Sequence, residues 1–291
     1  MNLTNQAERM QQMIARSEML QAPGAPDVLT ARLVEHAGFN AIYMTGFGAT
    51  ASLLGAPDIG LMTQSEMLSQ ARNMVRATNV PVIADADAGY GGISNIERTV
   101  HEYAMSGVAA IHLEDQVAPK RCGQMAGIRL MSVGESIKRL KAAIHCRGSH
   151  ALQIIGRTDA LGVDGIDAAI DRAKAYQDAG VDLAFVDGVK TIAQAEQIAS
   201  RLDGRKVISI VEGNETTALH ADVLRDMGFS VVLYAVSTLF ATARTSLEVL
   251  QNLRQSGSTQ ADAGRMMAYA DFVKIVGIDK YQKLDEAFGG E

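Results

Sequence analysis

Short, wholly apolar runs alternate along the chain with longer stretches in which apolar residues recur every three or four positions. Runs such as Ala41-Ile42-Tyr43-Met44 and Val231-Val232-Leu233-Tyr234 show no polar alternation, as expected of strands covered on both faces. The longer stretches carry the period of helices with one buried face. The pattern predicts strands at 19–22, 41–45, 81–85, 110–114, 152–157, 182–186, 206–211 and 231–235. It predicts helices at 27–37, 64–78, 94–106, 132–146, 165–179, 191–202, 216–227 and 237–255. Glycine closes several of these helices just before the next strand, at Gly38, Gly107, Gly180 and Gly228, a common C-terminal cap.

Eight strand–helix units in succession point to an α/β fold, and to a closed (β/α)8 TIM-type barrel over an open doubly wound sheet. Spacing alone does not prove closure, so the open sheet stands as the alternative. Beyond Gln255-Ser256-Gly257-Ser258-Thr259, further helices are expected at about 260–273 and 277–287. No linker divides the chain. Residues 1–291 read as one barrel domain, with the C-terminal helices of 259–288 packing on it or on a neighbouring subunit.

Composition narrows the function. With 47% hydrophobic and 21% charged residues the chain can build an ordinary core. No apolar stretch reaches the roughly 20 residues of a membrane span. The opening MNLTNQAERMQQ is polar and lacks the apolar core of a secretory signal. A formal charge of −6 without a basic arm argues against nucleic acid. Two cysteines fit a reducing compartment. A soluble, cytoplasmic enzyme acting on a small molecule is the expectation.

In such a barrel, chemistry gathers where the strands end. Strand 3 ends in Asp85-Ala86-Asp87, strand 4 in Glu114-Asp115, strand 5 in Arg157-Thr158-Asp159, strand 6 in Asp187-Gly188 and strand 7 in Glu212-Gly213-Asn214. Strand 2 runs into Thr45-Gly46-Phe47-Gly48, with Asp58 in the loop that follows. Asp58, Asp85, Asp87 and Glu114 would share one rim and repel one another unless a cation is present. All-oxygen ligation suits Mg²⁺ or Mn²⁺. The alternative for any one acid is capping of the next helix. Arg157 offers a fork matched to a carboxylate or phosphonate, and the Thr45-Gly46-Phe47-Gly48 backbone can donate N–H groups to the same anion. Tyr90 could contact substrate or merely pack. His112 reads as a core histidine with its hydrogen bonds satisfied, and Cys146 as structural.

The motifs TGFGATASLLGAPDIG (45–60), DADAGYG (85–91), LEDQVAPKRCG (113–123) and RTDA (157–160) together resemble the isocitrate lyase/phosphoenolpyruvate mutase superfamily. The branch is that of methylisocitrate lyase, dimethylmalate lyase, oxaloacetate hydrolase and carboxyphosphonoenolpyruvate phosphonomutase, and the likeness runs from about residue 8 to 288. The resemblance implies a barrel whose eighth helix is swapped with a partner, in a homotetramer. It implies Mg²⁺ held by Asp85, with Asp58, Asp87 and Glu114 acting largely through water. A 2-oxo acid would be gripped by Thr45, Gly46, Phe47 and Arg157. Lys120, Arg121 and Cys122 would lie on a mobile gate, with Cys122 as the general acid of a carbon–carbon lyase. Adjacent Lys and Arg are expected to favour its thiolate, so that it can give up a proton and regain it.

Several positions depart from the lyase pattern. The gate carries Gln124 in place of His and Ile128 in place of Lys. Strand 6 ends in Asp187-Gly188 instead of Glu-Ala, a reach shorter by about 1.5 Å. Ser209 replaces Asn on strand 7. Phe240 stands where tricarboxylate-cleaving relatives place Arg, and an apolar ring cannot neutralise a third carboxylate. The expected substrate is therefore a malate-like 2-hydroxy dicarboxylate with an apolar substituent. The alternatives are carboxyphosphonoenolpyruvate phosphonomutase chemistry, hydrolysis of oxaloacetate to oxalate and acetate, or a paralogue that binds a dicarboxylate without turnover.

Overall fold

The computed structural model describes residues 4–289. The strands are β1 (Leu20–Ala25), β2 (Ile42–Met44), β3 (Val82–Asp85), β4 (Ala110–Glu114), β5 (Gln153–Thr158), β6 (Leu183–Val186), β7 (Lys206–Ile210) and β8 (Val231–Tyr234). All pair in parallel and in sequence order, and β8 returns to β1 to close the barrel. Every strand position is buried except the half-buried Gln21 and Tyr234, which is why the sequence shows no alternation.

The helices are α1 (Thr4–Ala15), α2 (Val28–His36), α3 (Gly46–Leu54), α4 (Gln64–Ala77), α5 (Ile93–Ser106) and α6 (Val133–Arg147), then α7 (Leu161–Asp178), α8 (Ile192–Arg201), α9 (Ala221–Asp226), α10 (Ser237–Ser256), α11 (Tyr269–Ile275) and α12 (Ile278–Phe288). Their starts are written in the sequence. Thr63 and Thr191 each form a reciprocal capping box with the third helical residue, Glu66 and Gln194. Thr45 caps α3 by accepting from Gly48 N.

Two helices were not expected. α1 buries Ala7, Met10, Met13 and Ile14 against Leu20, Ala41 and Ala109 at the N-terminal end of the barrel. Gln6 anchors it by donating to Val75 O and Thr78 O at 3.1 and 2.8 Å. α3 begins at Gly46, in the Thr45-Gly46-Phe47-Gly48 stretch that follows β2, for which no helix was expected. Two expected helices are shorter. The segment 216–227 divides into a 3₁₀ turn at Glu215–Ala218 and α9. The segment 260–273 divides into a 3₁₀ turn at Gln260–Arg265 and α11, with Met266 extended between them. α11 lies beside α2, where Arg32 Nη1 donates to Ile275 O at 3.1 Å. α10 follows β8 but buries none of its residues, leaving Leu247, Leu250 and Leu253 exposed. Among the described residues no helix is long and apolar enough to cross a membrane.

Candidate active site

A cavity of about 270 Å³ opens at the C-terminal ends of the strands. Of the residues singled out above, Thr45, Phe47, Asp58, Asp85, Cys122, Gln124, Arg157, Asp187 and Ser209 line it. Gly46 lies directly behind Asp85, so close that a Cβ there would fall 2.3 Å from Asp85 Oδ2. Asp87 and Lys120 line a second cavity on the far side of the gate. Glu114 is buried, 3.7 Å from Arg157 Nε.

The gate folds down over the cavity. Cys122 N donates to Asp58 O at 3.0 Å, and the Gln116 amide exchanges two 2.8 Å hydrogen bonds with the Arg121 backbone. Lys120 Nζ sits 2.7 and 2.8 Å from the two Asp58 oxygens and 2.7 Å from Asp87 Oδ1. Burial opposes its charge, but the surrounding carboxylates hold its pKa well above the usual lysine value. Arg121 does the opposite. It is exposed, and its guanidinium turns away to Ala126 O at 3.3 Å, so it does not enter the cavity.

Burial raises the Asp85 carboxyl, yet the fields of His112, Lys120 and Arg157 outweigh it and hold the group at about 2. His112 is itself pushed down to about 4 by burial, so at neutral pH only Lys120 and Arg157 supply positive charge. Its Nε2 bonds the Tyr43 hydroxyl at 3.0 Å, but its Nδ1 has no partner. The expectation of a fully satisfied core histidine is only half met. Asp87 is pushed up to about 6, first by burial and then by neighbouring Asp85. Glu114 is raised well above the carboxylate range by burial.

Cys122 departs from expectation in a way that matters. Burial pushes its thiol up to about 11, and Asp187 and Asp58 add to the effect. Of the cations, Arg157 opposes the rise, whereas Lys120 is engaged with Asp58 and Asp87, and Arg121 faces outward. The thiol is held protonated, and the expected thiolate is corrected accordingly.

Arg157 is already engaged. Its Nε and Nη2 make a two-point contact with Asp159 at 3.2 and 2.7 Å, and Nη2 also lies 2.6 Å from Asp187 Oδ2. Asp159 was overlooked although it lies within the RTDA motif. It is in turn held by Gln116 at 3.1 Å and, through its backbone N–H, by Asp115 at 3.0 Å. The shortened Asp187 still reaches the guanidinium. Asn214 donates to Gln124 Oε1 at 3.4 Å, joining the gate to the loop after β7. Phe47 and Phe240 meet edge to face with ring centres 6.4 Å apart, and with Val211, Ala235 and Val236 they form an apolar wall. Tyr90 packs beside Tyr103 and faces the second cavity, so packing accounts for it.

Six buried carboxylates, Asp58, Asp85, Asp87, Glu114, Asp159 and Asp187, thus face two buried cations. Both Glu114 side-chain oxygens lack any hydrogen-bond partner, and Asp87 Oδ1 has only an ion pair to Lys120 that misses hydrogen-bond geometry. This excess of hard, partly orphaned oxygens fits a divalent cation. Among the described residues no three acidic, histidine or cysteine side chains converge closely enough to hold one directly. The donors therefore fit an ion that keeps much of its water, as Mg²⁺ does.

The profile of the phosphoenolpyruvate phosphomutase family matches residues 10–254. The chain belongs to that family, and it is an enzyme of the isocitrate lyase/phosphoenolpyruvate mutase superfamily. It is 36% identical over 284 residues to the 2,3-dimethylmalate lyase of Eubacterium barkeri, covering 98% of each chain. It is 34% identical to the 2-methylisocitrate lyase of Shewanella oneidensis, covering 96% of each. The solved structure of an oxaloacetate acetylhydrolase with 3,3-difluorooxalacetate superposes with a TM-score of 0.93 at 31% identity, covering 99% of this chain and 98% of that one. A phosphonopyruvate hydrolase in complex with oxalate and Mg²⁺ superposes with a TM-score of 0.87 at 25% identity, covering 98% and 99%.

Proposed function

We propose that this enzyme is a Mg²⁺-dependent carbon–carbon lyase that cleaves an alkyl-substituted malate to a 2-oxo acid such as pyruvate and a carboxylate. The observation that carries this reading is the half-buried Cys122 thiol facing a cavity with acids on one side and an aromatic wall on the other. Backbone N–H groups in the first turn of α3, at Gly46 and Phe47, have no intrahelical partner and can grip the carboxylate of the oxo fragment. Arg157, held in register by Asp159, complements the same charge. Mg²⁺, when bound among Asp58, Asp85, Asp87 and Glu114, offsets the charge that cleavage places on the oxo-acid fragment.

Cleavage removes the 2-hydroxyl proton, breaks the C2–C3 bond and leaves an electron pair on C3. The 2-hydroxyl proton passes to solvent, Cys122 gives its thiol proton to C3, and the resulting thiolate regains one proton from solvent, so the proton count balances. A thiol near 11 keeps its proton at neutral pH and still yields it to an enediolate carbon. Closure of the gate keeps water from that carbon until it is protonated.

Phe240 supports a dicarboxylate with an apolar substituent over a tricarboxylate, because a third carboxylate beside the Phe47–Phe240 pair would lack a counter-charge. Likeness to oxaloacetate acetylhydrolase supports a second reading, hydrolysis of oxaloacetate by the same type of cleavage. A homotetramer with α10 exchanged between subunits is part of the proposal, supported by the unburied leucines of α10.

The test is turnover in D₂O with Mg²⁺ and a panel of 2,3-dimethylmalate, citramalate, methylisocitrate and oxaloacetate, read by mass spectrometry. Pyruvate plus a carboxylate carrying one carbon-bound deuterium, lost with EDTA and in Cys122→Ser, is the expected result. Oxalate and acetate from oxaloacetate alone would overturn it.

A further inference from the structure

The DADAGYG turn carries an unusual backbone. Asp87 has φ 46° and Tyr90 φ 57°, both in the left-handed region that residues with a Cβ avoid, with Gly89 at 81° between them. Such a run persists only where its surroundings fix it. Inside the barrel the fixing is clear, because Asp87 N donates to Asp85 Oδ1 at 2.9 Å and Asp87 O accepts from Glu114 N at 3.0 Å. The turn thereby links three of the acids that we assign to the cation. Its outer side is different. There a cavity of about 470 Å³ opens between the turn and the gate, and the turn's side-chain contacts are few: Lys120 pairs with Asp87 Oδ1 at 2.7 Å, Thr99 Oγ1 donates to Gly89 O at 3.3 Å, and the Tyr90 hydroxyl meets that of Tyr103 at 3.4 Å. Arg139 of α6 is the side chain that ties two of its carbonyls together: its Nη2 donates to Ala88 O at 2.5 Å and Gly91 O at 2.6 Å. These carbonyls enclose Gly89 and Tyr90, and Ala88 directly follows Asp87.

We propose that Arg139 is a positioning residue: by bridging Ala88 O and Gly91 O it holds Asp87 in its left-handed turn and so sets the affinity of the acid cluster for a hard divalent cation. It touches neither substrate nor reacting atoms, and its effect passes through the backbone of Asp87. The inference rests on reading Asp87 as one of the cation-holding acids. A group that orients metal ligands from behind typically costs 10- to 100-fold in metal affinity when removed.

The experiment is calorimetric titration of the metal-free protein with Mn²⁺ alone, for the parent chain, Arg139→Met, Arg139→Lys and Asp87→Asn, with thermal melts alongside. Arg139→Met and Asp87→Asn should each weaken Mn²⁺ binding by roughly 10- to 100-fold. Arg139→Lys should recover most of the loss, since one ammonium can donate to both carbonyls as one Nη2 does here. Should Arg139→Met fail to fold, Arg139→Lys and an Arg139→Ala protein titrated with ethylguanidinium give the same readout. Restored Mn²⁺ affinity supports the proposal, and affinity that ignores the added cation overturns it. Parent-like Mn²⁺ affinity in Arg139→Met beside weakened Asp87→Asn would reduce Arg139 to a surface contact. Parent-like affinity in Asp87→Asn would instead remove the reading of Asp87 itself, and the inference with it.

Discussion

Replacing Gly123 by Ala adds one methyl group where the gate meets the buried ion cluster. On the present backbone its Cβ would stand 2.3 Å from Asp187 Oδ2, 2.6 Å from Asp159 Oδ1 and 2.9 Å from Arg157 Nη2, where ordinary contact begins near 3.4 Å. The nearest oxygen would have to retreat by about 1 Å. None of the three atoms can yield alone, because Arg157 Nη2 is bonded to both Asp159 and Asp187. Overpacking of this kind costs about 1–3 kcal/mol, and the gate can avoid it by lifting away. The closed population then falls by roughly 5- to 150-fold. If closure precedes chemistry, kcat falls by a similar factor, while Tm changes little because the open gate carries no clash. Steady-state turnover, thermal melts and the rate of tryptic cleavage after Lys120 and Arg121 would measure this together. Parent-like turnover with a parent-like cleavage rate would refute the reasoning, since the gate would then close without needing Gly123.

Cys122→Ser should lose about 10²- to 10⁴-fold in turnover while still binding the oxo acid, as measured by calorimetry. With its thiol near 11, Cys122 should be alkylated by iodoacetamide at pH 8 about 200-fold more slowly than an ordinary thiol, and the rate should climb about tenfold per pH unit. A plateau near pH 9 would mean that the thiolate forms readily after all. Asp159→Asn removes the charge that holds the Arg157 fork and should raise KM for the substrate by about tenfold. Phe240→Arg should lower kcat/KM for an alkylmalate and raise it for a tricarboxylate; no change in their ratio would show that the Phe47–Phe240 wall does not select substrate.

The strands could be read because burial on both faces leaves a continuous apolar run, and every one of the eight lies within three residues of its expected limits. α1 escaped because only one face of a largely polar stretch is buried, through Met10, Met13 and Ile14. α3 escaped because Gly46 and Gly48 signal a turn, whereas here the glycines permit close approach to Asp85 and to Pro26. At the site, residue types at strand ends located the acids and Arg157. Side-chain direction in the gate was not legible. Lys120 and Arg121 are neighbours in sequence but point to opposite sides, one into the acids and one into solvent. Nor was burial legible, and burial decides the protonation of Cys122. Asp159 could have been found from its place two residues after Arg157, a spacing that lets its carboxylate turn back on the guanidinium.

The central claim is that this cavity cleaves an alkylated dicarboxylate using a protonated thiol. The measurement that tests it most directly is kcat/KM for 2,3-dimethylmalate against methylisocitrate, on one Mg²⁺-loaded preparation. The account predicts a preference for the dicarboxylate of about 100-fold or more, because the third carboxylate would meet Phe240 unpaired. Equal or greater kcat/KM for methylisocitrate would contradict it.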